Sequence, residues 1–312
     1  MKGNKSSLRL FQPDWKWNAL IRYEGSIWRP PSEARSLILQ ATVGCSHNAC
    51  TFCVSYKDKK YRVRAVRGIR EDLHEISSSI KNRVRRVFLA DGNALAMGTS
   101  EMLEVLGFLR DELPALERVG VYGYAKDVRN KSVTDLKAMK EAGLGIVYLG
   151  LETGDDGLLR RVRKGVDSEE NIKACGLIRQ AEIPLSLTII LGLAGQEGSR
   201  KHAIATAEVL NKIDPEYVGA LTLMIPKGTP LFDLMEKGDF IPMEPFDILE
   251  ELRMLIQHMH LSKCIFRTNH ASNYLPLRGT LDRDKEELLS VLDSALERRD
   301  EEKLRPKYMR GL

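Results

Sequence analysis

Ser36-Leu-Ile-Leu-Gln-Ala-Thr-Val-Gly-Cys-Ser-His-Asn-Ala-Cys-Thr-Phe-Cys53 joins a short apolar run, Ser36–Thr42, to three cysteines, Cys45, Cys50 and Cys53, spaced C-x4-C-x2-C. The apolar run has the length and bounds of a buried strand, so the cysteines fall on the loop that follows it. Three thiolates on so short a loop can face one point, and such a point suits a metal. No fourth cysteine lies nearby, so a [4Fe–4S] cluster here keeps one iron open to a small molecule. The competing occupant is zinc, with His47 completing a Cys3His set. Structural zinc sites ordinarily pair two knuckles separated along the chain, whereas these four residues fall within nine positions. Disulfides fit poorly. Five cysteines in 312 residues, with no signal peptide or transmembrane run, is not a secreted framework and points to a cytoplasmic chain. Cys175, on the apolar stripe of a helical segment, and Cys264, near a helix end, read as ordinary core residues.

The cysteine run resembles the radical S-adenosylmethionine (radical SAM) superfamily. That resemblance implies a [4Fe–4S] cluster on Cys45, Cys50 and Cys53. Its open iron chelates the amino and carboxylate groups of S-adenosylmethionine, and one electron then splits the cofactor into methionine and a 5′-deoxyadenosyl radical. Most of the superfamily spaces these cysteines C-x3-C-x2-C. The extra residue here lengthens the first arc of the loop without removing a ligand.

Outward from this stretch, apolar and amphipathic runs alternate, the pattern of βα units around a parallel sheet. Strands are expected at Ser36–Thr42, Arg86–Ala90, Val119–Tyr124, Gly145–Gly150, Leu185–Leu191 and Tyr217–Met224. Helices are expected near Gly68–Lys81, Ser100–Leu113, Ser132–Ala142, Glu169–Ala181 and Ser199–Ile213. The third is the best specified: Ser132 caps it, Asp135 answers three residues on, and Gly143 supplies a left-handed stop. Six such units make an α/β fold, a partial (βα)6 TIM-like barrel with function collected at the carboxyl ends of the strands. The chain then divides into a basic lead (1–35), which carries Trp15, Trp17 and Trp28, a barrel core (36–226) and a C-terminal extension (227–312). The extension reads as helical, with a helix around Phe246–Met259, an irregular polar stretch and a capped helix from about Asp284, and is placed to cover substrate.

The other strand ends carry polar, glycine-rich turns. Asp91-Gly92-Asn93 follows the second strand, Glu152-Thr-Gly154 the fourth, and Gly192-Leu-Ala-Gly-Gln196 the fifth. Each is weak alone, since such turns are common in α/β folds. As an ordered set, together with Leu136–Gly154 and Pro226-Lys-Gly-Thr-Pro-Leu231, they resemble one radical SAM subgroup. It contains the oxygen-independent coproporphyrinogen oxidases, the methylthiotransferases, the Elongator catalytic subunit and the nitrogenase cofactor enzyme NifB. The resemblance covers about residues 36–240. It implies that Asp91 and the Gly92-Asn93 backbone meet the methionyl ammonium and that Glu152 binds ribose hydroxyls. By it, Arg163 (or its neighbours Arg160 and Lys164) pairs with the methionyl carboxylate, and Phe52, Gly192 and Gln196 lie along adenine.

Composition sets the remaining bounds. With 43% hydrophobic and 29% charged residues the chain has apolar mass for a sizeable core. Residues 1–70 hold 14 Lys/Arg against 4 Asp/Glu, much of the surplus lying between Lys57 and Arg70. Such a run is either a solvated face or a dock for an acidic partner. The resemblance implies a low-potential electron donor, and flavodoxins and ferredoxins are acidic, so Lys57, Lys59, Lys60 and Arg62 are expected to meet one. The leading reading is therefore an enzyme that cleaves S-adenosylmethionine and abstracts hydrogen from a substrate the sequence does not name. Two alternatives stay open: a haem-handling chaperone on the same fold, and an RNA-modifying enzyme, although no RNA-binding module is visible. Asn269-His-Ala-Ser-Asn-Tyr274, with Arg267 and Arg278 nearby, is either substrate-facing or turn chemistry.

Overall fold

The computed structural model describes residues 21–311. Trp15, Trp17 and the first part of the basic lead lie outside the described residues. Eight strands form the main sheet in chain order: β1 (Leu37–Gln40), β2 (Arg86–Ala90), β3 (Arg118–Gly123), β4 (Leu144–Glu152), β5 (Leu185–Leu191), β6 (Tyr217–Thr222), β7 (Cys264–Arg267) and β8 (Arg278–Leu281). The first seven run parallel; β8 returns antiparallel beside β7. Helices cross between them, including α1 (Val66–His74), α2 (Thr99–Glu112), α3 (Ala125–Arg129), α4 (Val133–Glu141), α5 (Asp156–Arg161), α6 (Ser168–Gln180) and α7 (Gly195–Ile213). The extension adds α8 (Pro230–Glu236), α9 (Pro245–His258) and α10 (Lys285–Arg298). This is the partial TIM-like architecture, with two strands more than the six expected.

The two additions come from the stretch read as irregular. Each is four residues long, and Arg267 and Arg278 interrupt any apolar signature. Pairing makes them strands, β7 with β6 and β8 with β7, and only tertiary structure supplies those partners. Cys264 accordingly opens a strand rather than lying near a helix end, although it is fully buried as expected. Elsewhere local chemistry suffices. Around α4, the Asp135 amide donates to Ser132 Oγ (3.0 Å), the Ser132 amide donates to Asp135 Oδ2 (2.9 Å), and Gly143 takes φ +115°.

Period-2 alternation explains the layering. Outward-facing Leu37, Leu39, Val87, Leu89, Val119, Val121, Val147, Leu149, Leu185, Leu187 and Ile189 join the helices in one continuous core. Burying each such side chain contributes about 1.5–3 kcal/mol. Their inward neighbours differ between the two halves of the barrel. In the β1–β4 half, Ile38, Phe88, Ala90, Ile146 and Tyr148 pack together, with Tyr122 edge-on to Phe88 at 5.0 Å. Buried Glu33 anchors this half, accepting from Tyr148 Oη (2.5 Å) and Arg118 (2.6 Å). On β5–β7 the inward residues Ser186, Thr188, Tyr217, Gly219, Leu221, Ile265 and Arg267 are only half-buried, so that half of the lumen is open.

Of the two readings of Asn269–Tyr274, the contacts follow turn chemistry. Asn273 accepts from Thr222 Oγ1 (2.8 Å) and donates to the Ala220 carbonyl (2.8 Å). Arg305 and Arg310 then tie this turn to the end of the chain, and Arg310 reaches the Leu223 carbonyl just past β6 (2.9 Å).

Candidate active site

The cysteine loop leaves the sheet after β1, where Thr42–Val43 pairs antiparallel with Arg62–Val63. That clasp brings both ends of the loop together beside the end of β2. Gly92, one residue past Asp91, donates its amide to the Gly44 carbonyl (3.1 Å). A Cβ on Gly92 would lie 2.6 Å from Tyr56 Cε2 and 3.0 Å from Cys45 Cβ, so the approach requires glycine. Farther along, the Thr51 amide donates to the Val162 carbonyl and the Leu231 amide donates to the Thr51 carbonyl, both at 3.0 Å. The cysteines therefore sit on a segment fixed from three sides.

Asp91 is the anchor beneath it. Its fully buried carboxylate accepts through Oδ2 from Lys59 Nζ (2.6 Å), the Gly44 amide (3.1 Å) and Gln40 Nε2 (3.1 Å), while Oδ1 has no partner. Lys59 is thus an internal counter-ion with a side chain 4% exposed, and the expectation that it meets an electron donor is corrected. Lys57, Lys60 and Arg62 remain exposed, with Arg62 paired to Glu24. Asn93 is also fully buried. Its amide nitrogen donates to Ser46 Oγ (2.7 Å) and to Asp127, and its Oδ1 has no partner. Two buried acceptors, Asp91 Oδ1 and Asn93 Oδ1, thus stand unsatisfied at the end of β2. A buried acceptor is costly to leave in that state.

The three thiols neighbour one another closely enough for Cys50 to feel the charges of Cys45 and Cys53. Burial pushes the Cys50 thiol up to about 11, with Lys164 pulling the other way. Such a thiol becomes a thiolate ligand readily only when metal charge offsets its desolvation. His47 does not join the set. Its Nε2 donates to the Arg163 carbonyl (2.6 Å) and its ring stacks on Tyr124 at 5.0 Å, so the Cys3His zinc set lacks its fourth member. Among the described residues no three His, Cys, Asp or Glu side chains converge on a single-ion point.

Glu152 ends β4 where the pairing with β5 shifts register, and it takes φ +64°, a conformation uncommon for a side-chain-bearing residue. This bulge turns its carboxylate inward over Gly150, where Oε1 meets Lys164 Nζ at 2.8 Å. Burial opposes the Lys164 charge, but Glu152 and the thiols Cys50 and Cys45 outweigh it and hold the ammonium above its usual range. Lys164, not Arg163, is therefore the cation beside the cysteines. The Arg163 side chain is exposed and contributes only its carbonyl, held at φ +54°. Arg160 is exposed as well.

Phe52 packs with Leu158, Val162, Ile190, Leu193 and Leu223 in a small apolar cluster over the ends of β4–β6. Gly192, at φ +77°, begins the turn beyond β5, and its amide donates to Glu251 Oε1 (2.7 Å) on α9. Ser199 Oγ donates to the other Glu251 oxygen (2.5 Å), and His202 lies 3.6 Å from the carboxylate. His202 Nε2 donates to the Ile190 carbonyl (3.1 Å) and Nδ1 accepts from Thr153 Oγ1 (2.8 Å). This buried network joins the ends of β4 and β5 to α7 and α9. Gln196, by contrast, sits exposed in the first turn of α7. Sequence reasoning missed Glu251 and His202, and gave Lys59 a different role from the Asp91 counter-ion it is. Glu251 carried a readable sign, a carboxylate three residues from Ile248 on the apolar stripe of α9.

The radical SAM superfamily profile matches residues 39–206, just over half the chain and the same span that carries these strand ends. The chain belongs to the radical SAM superfamily. Members of this superfamily work with a [4Fe–4S] cluster and S-adenosylmethionine. The chain is 20% identical over 169 residues to the heme chaperone HemW of Bacillus subtilis (strain 168), covering 54% of this chain and 44% of HemW. It is 23% identical over 211 residues to a putative methylthiotransferase of Methanocaldococcus jannaschii, covering 63% and 46%. It thus spans less than half the length of either relative. Among solved structures, the radical S-adenosylmethionine methyltransferase TsrM of Kitasatospora setae aligns with TM-score 0.53 and 16% identity, over 67% of this chain and 41% of TsrM. That likeness is one of fold.

Proposed function

We propose that the chain holds a [4Fe–4S] cluster on Cys45, Cys50 and Cys53 and cleaves S-adenosylmethionine reductively across the ends of β1, β2, β4 and β5. The observation that carries this reading is the meeting of the cysteine loop with the buried Glu152–Lys164 pair at the mouth of the barrel. The chemistry the cluster supplies when bound is one electron and an open iron, which together split the sulfonium into methionine and a 5′-deoxyadenosyl radical for hydrogen abstraction from substrate.

The residues then have distinct tasks. Asp91 Oδ1 and Asn93 Oδ1, both unsatisfied acceptors, suit the methionyl ammonium. Lys164 offsets thiolate charge and pairs with the methionyl carboxylate, the task for which the sequence offers Arg160, Arg163 and Lys164. Glu152, with Oε1 engaged by Lys164, offers its other oxygen to ribose hydroxyls. Phe52, Ile190 and Leu193 form an apolar floor for adenine, and the Gly192 turn bounds its edge. Exposed Lys57 and Lys60 steer a small acidic electron carrier of the flavodoxin or ferredoxin type. A reducing compartment such as the cytoplasm suits these thiols. Among the described residues no helix is long and apolar enough to cross a membrane.

The test is anaerobic reconstitution followed by dithionite and S-adenosylmethionine. About four irons and four sulfides per chain, with 5′-deoxyadenosine as product, are expected. Stoichiometric zinc without sulfide, or a full cluster that yields no nucleoside, would refute the proposal.

A further inference from the structure

One cross-strand row of the barrel wall contains more chemistry than cofactor binding uses. Gly150 on β4 pairs with Thr188 on β5, Thr188 with Gly219 on β6, Gly219 with Arg267 on β7, and Arg267 with Arg278 on β8. Register partners share a face of a sheet. That face is the lumen, because the alternate residues Cys264 and Phe266 belong to the outer core with the helices. At one end of the row lies the Glu152–Lys164 pair, folded over Gly150. At the other lie two arginines side by side.

Neither arginine has a counter-ion or a side-chain hydrogen bond among the described residues. Arg267 Nε is buried and wholly unpartnered. Between the arginines and the cofactor end, Gly219 leaves a gap in the wall: a Cβ built there meets nothing within 4 Å. Arg267 is half-buried and Arg278 exposed beside it; guanidinium groups side by side without a carboxylate partner suit an oxyanion, which they grip in a planar fork.

We propose that the substrate of this enzyme carries an anionic group, a carboxylate or a phosphate ester, bound by Arg267 and Arg278 above Gly219. The inference rests on the proposed cleavage of S-adenosylmethionine and adds the class of molecule that receives the radical. Three inter-strand steps separate Gly150 from Arg267, on the order of 14 Å along the sheet. The anion is thus the far end of a substrate whose reacting carbon lies toward β4, where the cofactor ends.

The experiment uses the cluster-loaded full chain with S-adenosylmethionine present, titrated calorimetrically with inorganic phosphate and with succinate at fixed chloride. Saturable binding of at least one is expected, and the tighter of the two identifies a phosphate ester or a carboxylate. Arg267→Gln should weaken it at least about tenfold, the loss expected for a charged hydrogen-bond partner. Gly219→Val tests the same site without touching a charge, because the added side chain enters open space and fills the gap beside Arg267. No saturable binding by the wild type, or unchanged binding by both variants, overturns the inference. Affinity for S-adenosylmethionine, measured on the same wild-type samples, separates the two readings. If the cofactor binds and neither anion does, this inference alone fails; if the cofactor does not bind, the cleavage reading fails.

Discussion

Glu251 and His202 form a buried pair whose two titrations oppose each other, and separating them gives a quantitative test of the network behind the Gly192 turn. Burial raises the Glu251 carboxyl from 4.5 to about 7, against the Ser199 and Gly192 donors that pull it down. Burial likewise lowers the His202 imidazole from 6.5 to about 4, against the Ile190 carbonyl. Because the Glu251 value is raised in the fold, its contribution is complete below pH 4.5 and is lost as pH climbs through about 7. Because the His202 value is depressed, its contribution is complete above pH 6.5 and is lost as pH falls through about 4. Each displacement corresponds to about 3 kcal/mol of stability. The two nearly cancel between pH 4.5 and 6.5, so single substitutions should unmask them. Glu251→Gln keeps an acceptor for the Gly192 amide, and its stability relative to wild type should grow by about 3 kcal/mol from pH 4.5 to 7.5. His202→Gln should gain a similar amount relative to wild type as pH falls from 6.5 to 4. Urea denaturation of the cluster-free protein, followed by circular dichroism at several pH values, measures both. Curves that stay parallel to wild type within about 0.5 kcal/mol would show that neither group titrates in the fold as burial requires.

Three further outcomes are expected. Gly92→Ala forces a methyl group against buried Tyr56 and Cys45, so iron and sulfide incorporation should fall well below wild type; undiminished loading would show that the close approach is dispensable. Lys59→Met removes the cation from a fully buried carboxylate and should cost about 3–5 kcal/mol in urea denaturation. A loss under 1 kcal/mol would mean that Asp91 is held by its other donors alone. Reversing Lys57 and Lys60 to glutamate should slow turnover driven by flavodoxin and flatten its salt dependence while sparing turnover driven by dithionite. Equal losses with both electron sources would remove the docking role.

What the sequence determined by itself was everything that short-range chemistry encodes. The C-x4-C-x2-C loop, the six apolar runs and the Ser132–Asp135 cap could each be read locally, because strand period, turn residues and ligand spacing act over a few positions. Asp91, Asn93 and Glu152 were recognisable as polar ends of strands for the same reason. Long-range pairing determined the rest. Lys59 looks like any lysine of a basic run until β2 brings Asp91 to it, 32 positions away. Arg163 and Lys164 are neighbours in sequence, and only the backbone turn at Arg163 sends one outward and the other to Glu152. Strand β7 exists because β6 offers an edge to pair with, and β8 because β7 then does, and their arginines share a row with Thr188 through those pairings alone. A sequence states which groups are available; which carboxylate meets which cation is decided by register and burial, which depend on partners distant along the chain.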